Sequence, residues 1–234
     1  MILITGASQG IGYACARGLL ARTDSVVLIT GRSEERLTRA RADVPPPDRE
    51  RLRTWASDQD RREDVEALTR FIADASGPVE GAILCVGVNP AYADGPRRLH
   101  SLTEATIEAT LRVNCAHTLL LTQALLERFW RQRSGVLLWI GSQGARMGLR
   151  GAGLYCATKS FLSGLAHTAH QEYAERGVRV HLLHPALVRT PRTELIIEDF
   201  AARHGLVCRD APEVADQVIS CFLSGADHPV EVNL

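Results

Sequence analysis

The chain has 234 residues, 45% hydrophobic and 23% charged, which suits a single folded core and excludes a disordered or fibrous chain. Its 27 basic and 27 acidic residues balance, with pI ≈ 7.1, so neither a nucleic-acid backbone nor an anionic membrane surface is expected as the main partner. The 6 cysteines form no Cys-x-x-Cys pair, arguing against a metal site or disulfide framework, and no basic leader or spanning apolar run is seen, so a cytoplasmic location is expected.

Ile2-Leu3-Ile4 predicts a short buried strand, and Tyr13 to Arg22 carries apolar residues at helical spacing. Between them lies Thr5-Gly6-Ala7-Ser8-Gln9-Gly10-Ile11-Gly12. Glycines let backbone N–H groups approach a pyrophosphate, and the following helix turns its positive end toward the anion. A plain tight turn would also use glycine, but the strand before and helix after favour nucleotide binding by Gly6, Ser8, Gln9, Gly10, Ile11 and Gly12. The spacing Gly-x-x-x-Gly-x-Gly differs from the Gly-x-Gly-x-x-Gly fingerprint.

Ser25 to Thr30 predicts a second buried strand, ending at Gly31-Arg32-Ser33, where a dinucleotide fold reads the adenosine ribose. An acid there would bond a free 2′-hydroxyl, whereas Arg32 suits a 2′-phosphate. A solvated arginine neutralised by Glu34 or Glu35 is the plainer alternative. Residues 33–43 predict a helix, Pro45-Pro46-Pro47 breaks it, and Leu52 to Ala56 predicts a third strand. Asp58-Gln59 precedes a helix starting near Arg61, and Gly81 to Val86 predicts a fourth strand. A long helix runs from Thr103 to Arg131 and carries Asn114. Gly135 to Ile140 is the fifth strand, leaving Ser142 at the carboxyl edge of the sheet.

Tyr155 and Lys159, four apart, share a helix face, so a phenol and an ammonium are aimed together. A cation nearby is expected to lower the phenol pKa from its usual ~10 toward a working pH, and Ser142 adds a second donor for an atom gaining negative charge. The helix ends at Gly177, Val178 to Leu183 is the sixth strand, Leu195 to Phe200 a short helix, Pro212 to Ser224 a helix, and Val230 to Val232 the last strand.

Thr5-Gly6-x-x-x-Gly10-x-Gly12, Ser142 and Tyr155-x-x-x-Lys159 together resemble the single-domain branch of the short-chain dehydrogenase/reductase family, over nearly the whole chain. The resemblance implies an α/β fold, a Rossmann-like doubly wound parallel sheet of about seven strands with helices on both faces. It implies one catalytic domain over residues 1–234, with 187–210 covering the substrate, and NAD(P)(H) as cofactor. Gly31 stands where NAD-preferring members carry an acid, so NADP(H) is expected over NAD(H). Asp58 and Gln59 then approach the adenine, while Val86 and Gly87 offer backbone contacts, although Leu84-Cys85-Val86-Gly87 replaces the family's Asn-Asn-Ala-Gly. Pro185, Ala186, Val188 and Thr190 lie along the nicotinamide amide, with Ala186 in place of a glycine, and Tyr155 and Lys159 border the cofactor.

By the same resemblance, Asn114, Ser142, Tyr155 and Lys159 form the catalytic set, with Asn114 bending its helix and holding a water near the lysine. His184 is expected only to fill a strand end. The expected reaction is NADPH-dependent reduction of a ketone or aldehyde. The alternatives are the reverse alcohol oxidation, a non-catalytic cofactor-binding protein, and an acyl-carrier-protein-linked ketoreductase, for which no basic docking stripe is seen beyond Arg146 and Arg150, themselves open to a solvated reading. A small-molecule carbonyl or alcohol substrate and a homo-dimer or homo-tetramer complete the expectation.

Overall fold

The computed structural model describes residues 1–93, 95–194, 197–225 and 229–234. In chain order the elements are β1 (Ile2–Thr5), α1 (Gly10–Arg22), β2 (Val27–Gly31), α2 (Glu34–Ala42), α3 (Pro46–Arg49), β3 (Leu52–Ala56), α4 (Arg62–Asp74) and β4 (Gly81–Leu84). There follow α5 (Pro90–Ala93), α6 (Glu104–Leu111), α7 (Thr118–Gln132), β5 (Gly135–Ile140), α8 (Gly144–Met147) and α9 (Gly153–Tyr173). The remainder comprises β6 (Val178–His184), β7 (Leu187–Arg189), α10 (Ile197–His204), β8 (Cys208–Asp210), α11 (Ala211–Leu223) and β9 (Glu231–Asn233).

Seven strands form one parallel sheet in the order β3-β2-β1-β4-β5-β6-β9. The apolar runs that predicted buried strands are buried because helices cover both faces, so strand residues alternate between two cores. Ile2, Ile4, Ile29 and Leu138 face Leu19, Val218 and Phe222 from α1 and α11. Leu3, Leu28, Leu137 and Trp139 face Leu68, Leu125, Phe129 and Leu162 from α4, α7 and α9. The connections leave β1 toward β2 on one side and β4 stands on the other. Their carboxyl ends therefore part at the centre of the sheet and open a crevice there.

Several boundaries differ from those predicted. The helix after the glycine loop starts at Gly10, not Tyr13, and the fourth strand stops at Leu84. Pro45-Pro46-Pro47 does break the chain, yet Pro46 then opens the single turn α3, where its fixed φ and missing N–H are no handicap. The long helix is interrupted by a wider π turn over Arg112–His117, between α6 and α7. The first two residues of the helix predicted over 195–200 lie outside the described residues, and its remainder belongs to α10. Strands β7 and β8 pair in a separate parallel ribbon. With α10 they enclose a small cluster of Leu187, Ile197 and Phe200.

Among the described residues no helix is long and apolar enough to cross a membrane.

Gly81 opens β4 against the ring of Phe222. A Cβ there would lie 2.5 Å from Phe222 Cζ and 2.7 Å from the backbone oxygen of Val136, and the backbone atom cannot swing away. Gly81→Ala should destabilise the protein by roughly 1–3 kcal/mol through overpacking, read as a lower urea midpoint. An unchanged midpoint would contradict this account of the sheet centre.

Candidate active site

The glycine loop leaves β1 with Gly6 at φ +65 and Gly10 at φ +62, a conformation that L side chains rarely adopt. Gly12 serves differently: a Cβ there would lie 2.9 Å from both Ala7 Cα and Gly6 O, so α1 packs directly on the loop. Ala7 N donates to Thr30 O at 2.9 Å and ties the loop to β2. Gln9, the cap residue of α1, makes no side-chain cap bond, and no acid occupies the first turn. The leading N–H groups of α1 thus remain available to an anion at the positive end of the helix.

A cavity of about 620 Å³ lies over this loop. Of the positions predicted to touch a cofactor, the glycine loop, Arg32, Asp58, Gln59, Val86, Gly87 and Thr190 line it, whereas Tyr155, Lys159, Pro185, Ala186 and Val188 do not. Val188 instead packs into the core. Ala186 is not among the residues with positive φ, so replacing the family glycine brings no backbone strain there. Gln59 lines the cavity, but its amide is used elsewhere, donating to Val113 O at 3.2 Å and Thr118 Oγ1 at 3.0 Å. Its backbone oxygen is also engaged, 2.6 Å from His117 Nδ1. Asp58 Oδ1 accepts from Asp60 N at 3.1 Å.

At the β2 end of the cavity the plainer alternative, neutralisation of Arg32 by Glu34 or Glu35, is not seen among the described residues. Glu35 pairs with Arg39 at 2.7 Å, and Arg32 has no ion pair among the described residues. Ser33 caps α2 by accepting from Arg36 N, which places Arg36 one turn beyond Arg32 on the cavity wall, with Nη1 3.5 Å from Gln9 Oε1. Arg192 reaches the cavity from the segment after β7 and donates to Gly87 O at 2.8 Å. Loss of water around it and then repulsion from Arg32 hold its pKa below the ordinary arginine value. Sequence reading missed Arg36 and Arg192, since each sits in a stretch rich in charge.

Lys159, 5% exposed, donates from Nζ to Ile140 O at 2.8 Å, at the end of β5. A Cβ on Gly87 would lie 3.0 Å from that ammonium, so the glycine retained from the family pattern keeps the cation against the cavity wall. Burial lowers the Lys159 pKa to about 8. The expected lowering of the Tyr155 pKa by Lys159 is not found. Burial first, then the neighbouring Tyr92, push the phenol well above its ordinary value, and contact with Ser142 only partly offsets them. The reason is placement: the ammonium is directed at Ile140 O, 5.8 Å from the centre of the Tyr155 ring. Ser142 Oγ accepts from Gly144 N at 3.1 Å, leaving its own hydrogen to donate.

Asn114 sits in the π turn, buried, and its amide joins three elements. Nδ2 donates to Val88 O and to Thr158 Oγ1, both at 2.9 Å, and Oδ1 accepts from Val88 N at 2.8 Å. Both donors are thereby used, and one lone pair on Oδ1 remains. Cys85, where the family carries Asn, has its thiol pushed up to about 12 by burial, so it stays protonated and unreactive.

The model of short chain dehydrogenases matches residues 1–200. An uncharacterized oxidoreductase of Staphylococcus haemolyticus is 30% identical across 99% of the chain and 93% of that relative. A short chain dehydrogenase from Burkholderia cenocepacia J2315, solved in complex with NADP, superposes with a TM-score of 0.86 at 25% identity, covering 100% of this chain and 95% of the other. A 3-ketoacyl-(acyl-carrier-protein) reductase from Brucella melitensis complexed with NADH shares the fold, with a TM-score of 0.85, 21% identity and coverage of 100% and 94%.

The buried ammonium has a consequence for stability. With its pKa at about 8 in the fold against an ordinary 10.5, Lys159 binds more protons unfolded than folded between those values. Stability therefore gains from this group as pH rises from about 8 to about 10, and the cost of its charge is fully present below. Urea unfolding of Lys159→Met should lack that rise relative to the parent protein. Parallel pH curves for the two would show that Lys159 is not desolvated.

Proposed function

The chain belongs to the short-chain dehydrogenase family, whose fold binds a nicotinamide cofactor, and we propose that within it this protein reduces a ketone or aldehyde with NADPH. The observation that carries the reading is the pairing of two ends of one crevice. Arg32 and Arg36 stand at the ribose end of the cavity, and Lys159 abuts Gly87 at the other, beside Tyr155 and Ser142.

The residues fit the cofactor: an uncapped helix start, glycines where a Cβ would intrude, and cations where a 2′-phosphate would lie. NADPH, when bound, supplies the hydride to the carbonyl carbon. Tyr155, its pKa pushed up, holds its proton at neutral pH and donates it to the carbonyl oxygen. Ser142 donates to the same oxygen. Arg192 is the cation whose charge favours the phenolate so formed, and Lys159 Nζ lies 5.8 Å from the centre of the ring. The free lone pair of Asn114 accepts from a water that returns the proton.

Arg36 beside Gln9 supports the NADPH preference further, because it brings from α2 the second base that the glycine loop lacks. The whole chain acts as one catalytic domain, and 187–210 covers the substrate. Phe200 of that segment packs on Tyr92 with ring centres 6.1 Å apart, and Tyr92 in turn neighbours Tyr155. Six free cysteines support a reducing cytoplasm. Exposed Leu111, Leu119 and Phe161 on α6, α7 and α9 support a homo-dimer or homo-tetramer.

A panel of ketones and aldehydes, followed by NADPH absorbance, tests the activity. On a responsive substrate Tyr155→Phe should lose roughly 100-fold or more in kcat, the scale of general acid catalysis, while NADPH still binds. Near-normal turnover would remove Tyr155 from the acid role.

Cofactor choice is tested by titration with both reduced cofactors. Arg32→Ala should weaken NADPH roughly tenfold to a hundredfold and leave NADH within about threefold. Gly31→Asp should swing preference toward NADH by repelling the 2′-phosphate, its Cβ lying 3.1 Å from Ser8 Cβ and Oγ, so that the loop must yield by a few tenths of an ångström. Equal losses for both cofactors in Arg32→Ala would mean that Arg32 does not read the phosphate.

A further inference from the structure

Ser142 leaves the sheet at the end of β5, where its backbone must find partners outside the ladder. Its neighbours do so with backbone: Gly141 N donates to Leu183 O at 2.7 Å, and Gln143 N to Pro185 O at 3.0 Å. Ser142 uses a side chain instead. Its N–H donates to His184 Nδ1 at 3.1 Å, and the same ring nitrogen lies 2.9 Å from Ser142 O. His184 fills the end of β6 at 0% exposure, as expected, and adds these hydrogen bonds to that packing.

The other ring nitrogen, Nε2, lies 2.5 Å from Glu231 Oε1 on β9. Glu231 also accepts from Ser163 Oγ at 2.9 Å, contacts His167 Nε2 at 3.0 Å, and has Arg146 Nε at 3.5 Å. Burial pushes the Glu231 pKa up, but the hydrogen bonds from Ser163, His167 and His184 outweigh it and hold it low. An ionised carboxylate only accepts, so Nε2 carries a hydrogen; Nδ1 then faces both the N–H and the carbonyl of Ser142, accepting from the first when bare and donating to the second when protonated. The backbone is shaped for this ring. A Cβ on Gly141 would lie 2.5 Å from His184 Nδ1, a distance no real side chain tolerates.

We propose that His184, oriented by Glu231, is a positioning residue that fixes Ser142 toward the carbonyl oxygen. His184 contacts the Ser142 backbone and Glu231 contacts His184, so both act through Ser142. The carboxylate orients the ring, the ring sets the Ser142 backbone, and the backbone aims Oγ. Loss of such aim by about 1 Å is costly to catalysis. β9 also pairs with β6, opposing Leu182 to Glu231, and Leu234 O accepts from Gln143 Nε2 at 3.0 Å, so the strand grips the loop twice. The role rests on Ser142 acting in carbonyl reduction.

Two measurements test it. Amide hydrogen exchange by NMR reads the contact without any chemistry. In Glu231→Ala the Ser142 amide should exchange about tenfold faster or more, while the Gly141 amide keeps its rate. An unchanged Ser142 rate overturns the proposal. Kinetics on a responsive carbonyl reads the consequence: Glu231→Ala should lower kcat roughly tenfold with NADPH affinity within about twofold, and Ser142→Ala/Glu231→Ala should be no slower than Ser142→Ala.

Multiplying losses in the double variant would show that Glu231 acts by another route, and would overturn the proposal. Glu231→Gln, which keeps an acceptor for Nε2, should regain most of the exchange protection and serves where Glu231→Ala folds poorly. No regain would equally refute the proposal. Normal turnover in Ser142→Ala would defeat the catalytic reading of Ser142, and the exchange result would still decide whether Glu231 holds it.

Discussion

A lysine ammonium inside a protein is costly unless something accepts its hydrogens, and that requirement organises the centre of this molecule. Lys159 is nearly covered, and the acceptor it finds is the carbonyl of Ile140 at the last residue of β5. To deliver the cation there, α9 must lie across the sheet edge, and Gly87 must lack a side chain. Tyr155, one turn earlier on the same helix, is then carried to the β5 edge next to Ser142. The meeting of Tyr155 with Ser142 thus follows from housing one charge.

Asn114 answers a different need. The end of β4 has lost the polar side chains usual in the family, and Leu84 packs into the apolar core instead. Three hydrogen bonds from one amide, to Val88 and Thr158, hold the strand end to α9. The π turn makes this possible, because a residue inserted into the helical repeat turns Asn114 inward from a helix whose regular face is apolar. Cys85 sits between these supports with its backbone N–H bonded to Thr5 Oγ1 at 3.2 Å, so the β1 side also contributes.

Much of this was legible in the sequence where local pattern and tertiary setting agree. Runs such as Val-Leu-Leu-Trp-Ile lie in a two-sided sheet and read as buried strands, and the glycine spacing marked the loop. The four-residue spacing of Tyr155 and Lys159 gave a common face, but not the position of Ile140 O, and that carbonyl is what turns the ammonium away from the phenol. β7 and β8, three residues each, are too short for an alternating pattern to register. Arg36 and Arg192 looked like ordinary surface charge. His184 and Glu231 are 47 residues apart, and nothing in either local sequence announces the other.

The sheet order has a consequence for the making of the molecule. β1 to β4 need only the first 84 residues to pair, and the phosphate-facing loop is complete within them. The strand that grips Ser142 is β9, which leaves the ribosome after every other strand and must find β6 at the sheet edge. A nascent chain synthesised from its N-terminus thus builds its glycine loop early and the sheet edge at Ser142 late. Until β9 docks, the imidazole behind Ser142 lacks its carboxylate, which arrives with a three-residue strand.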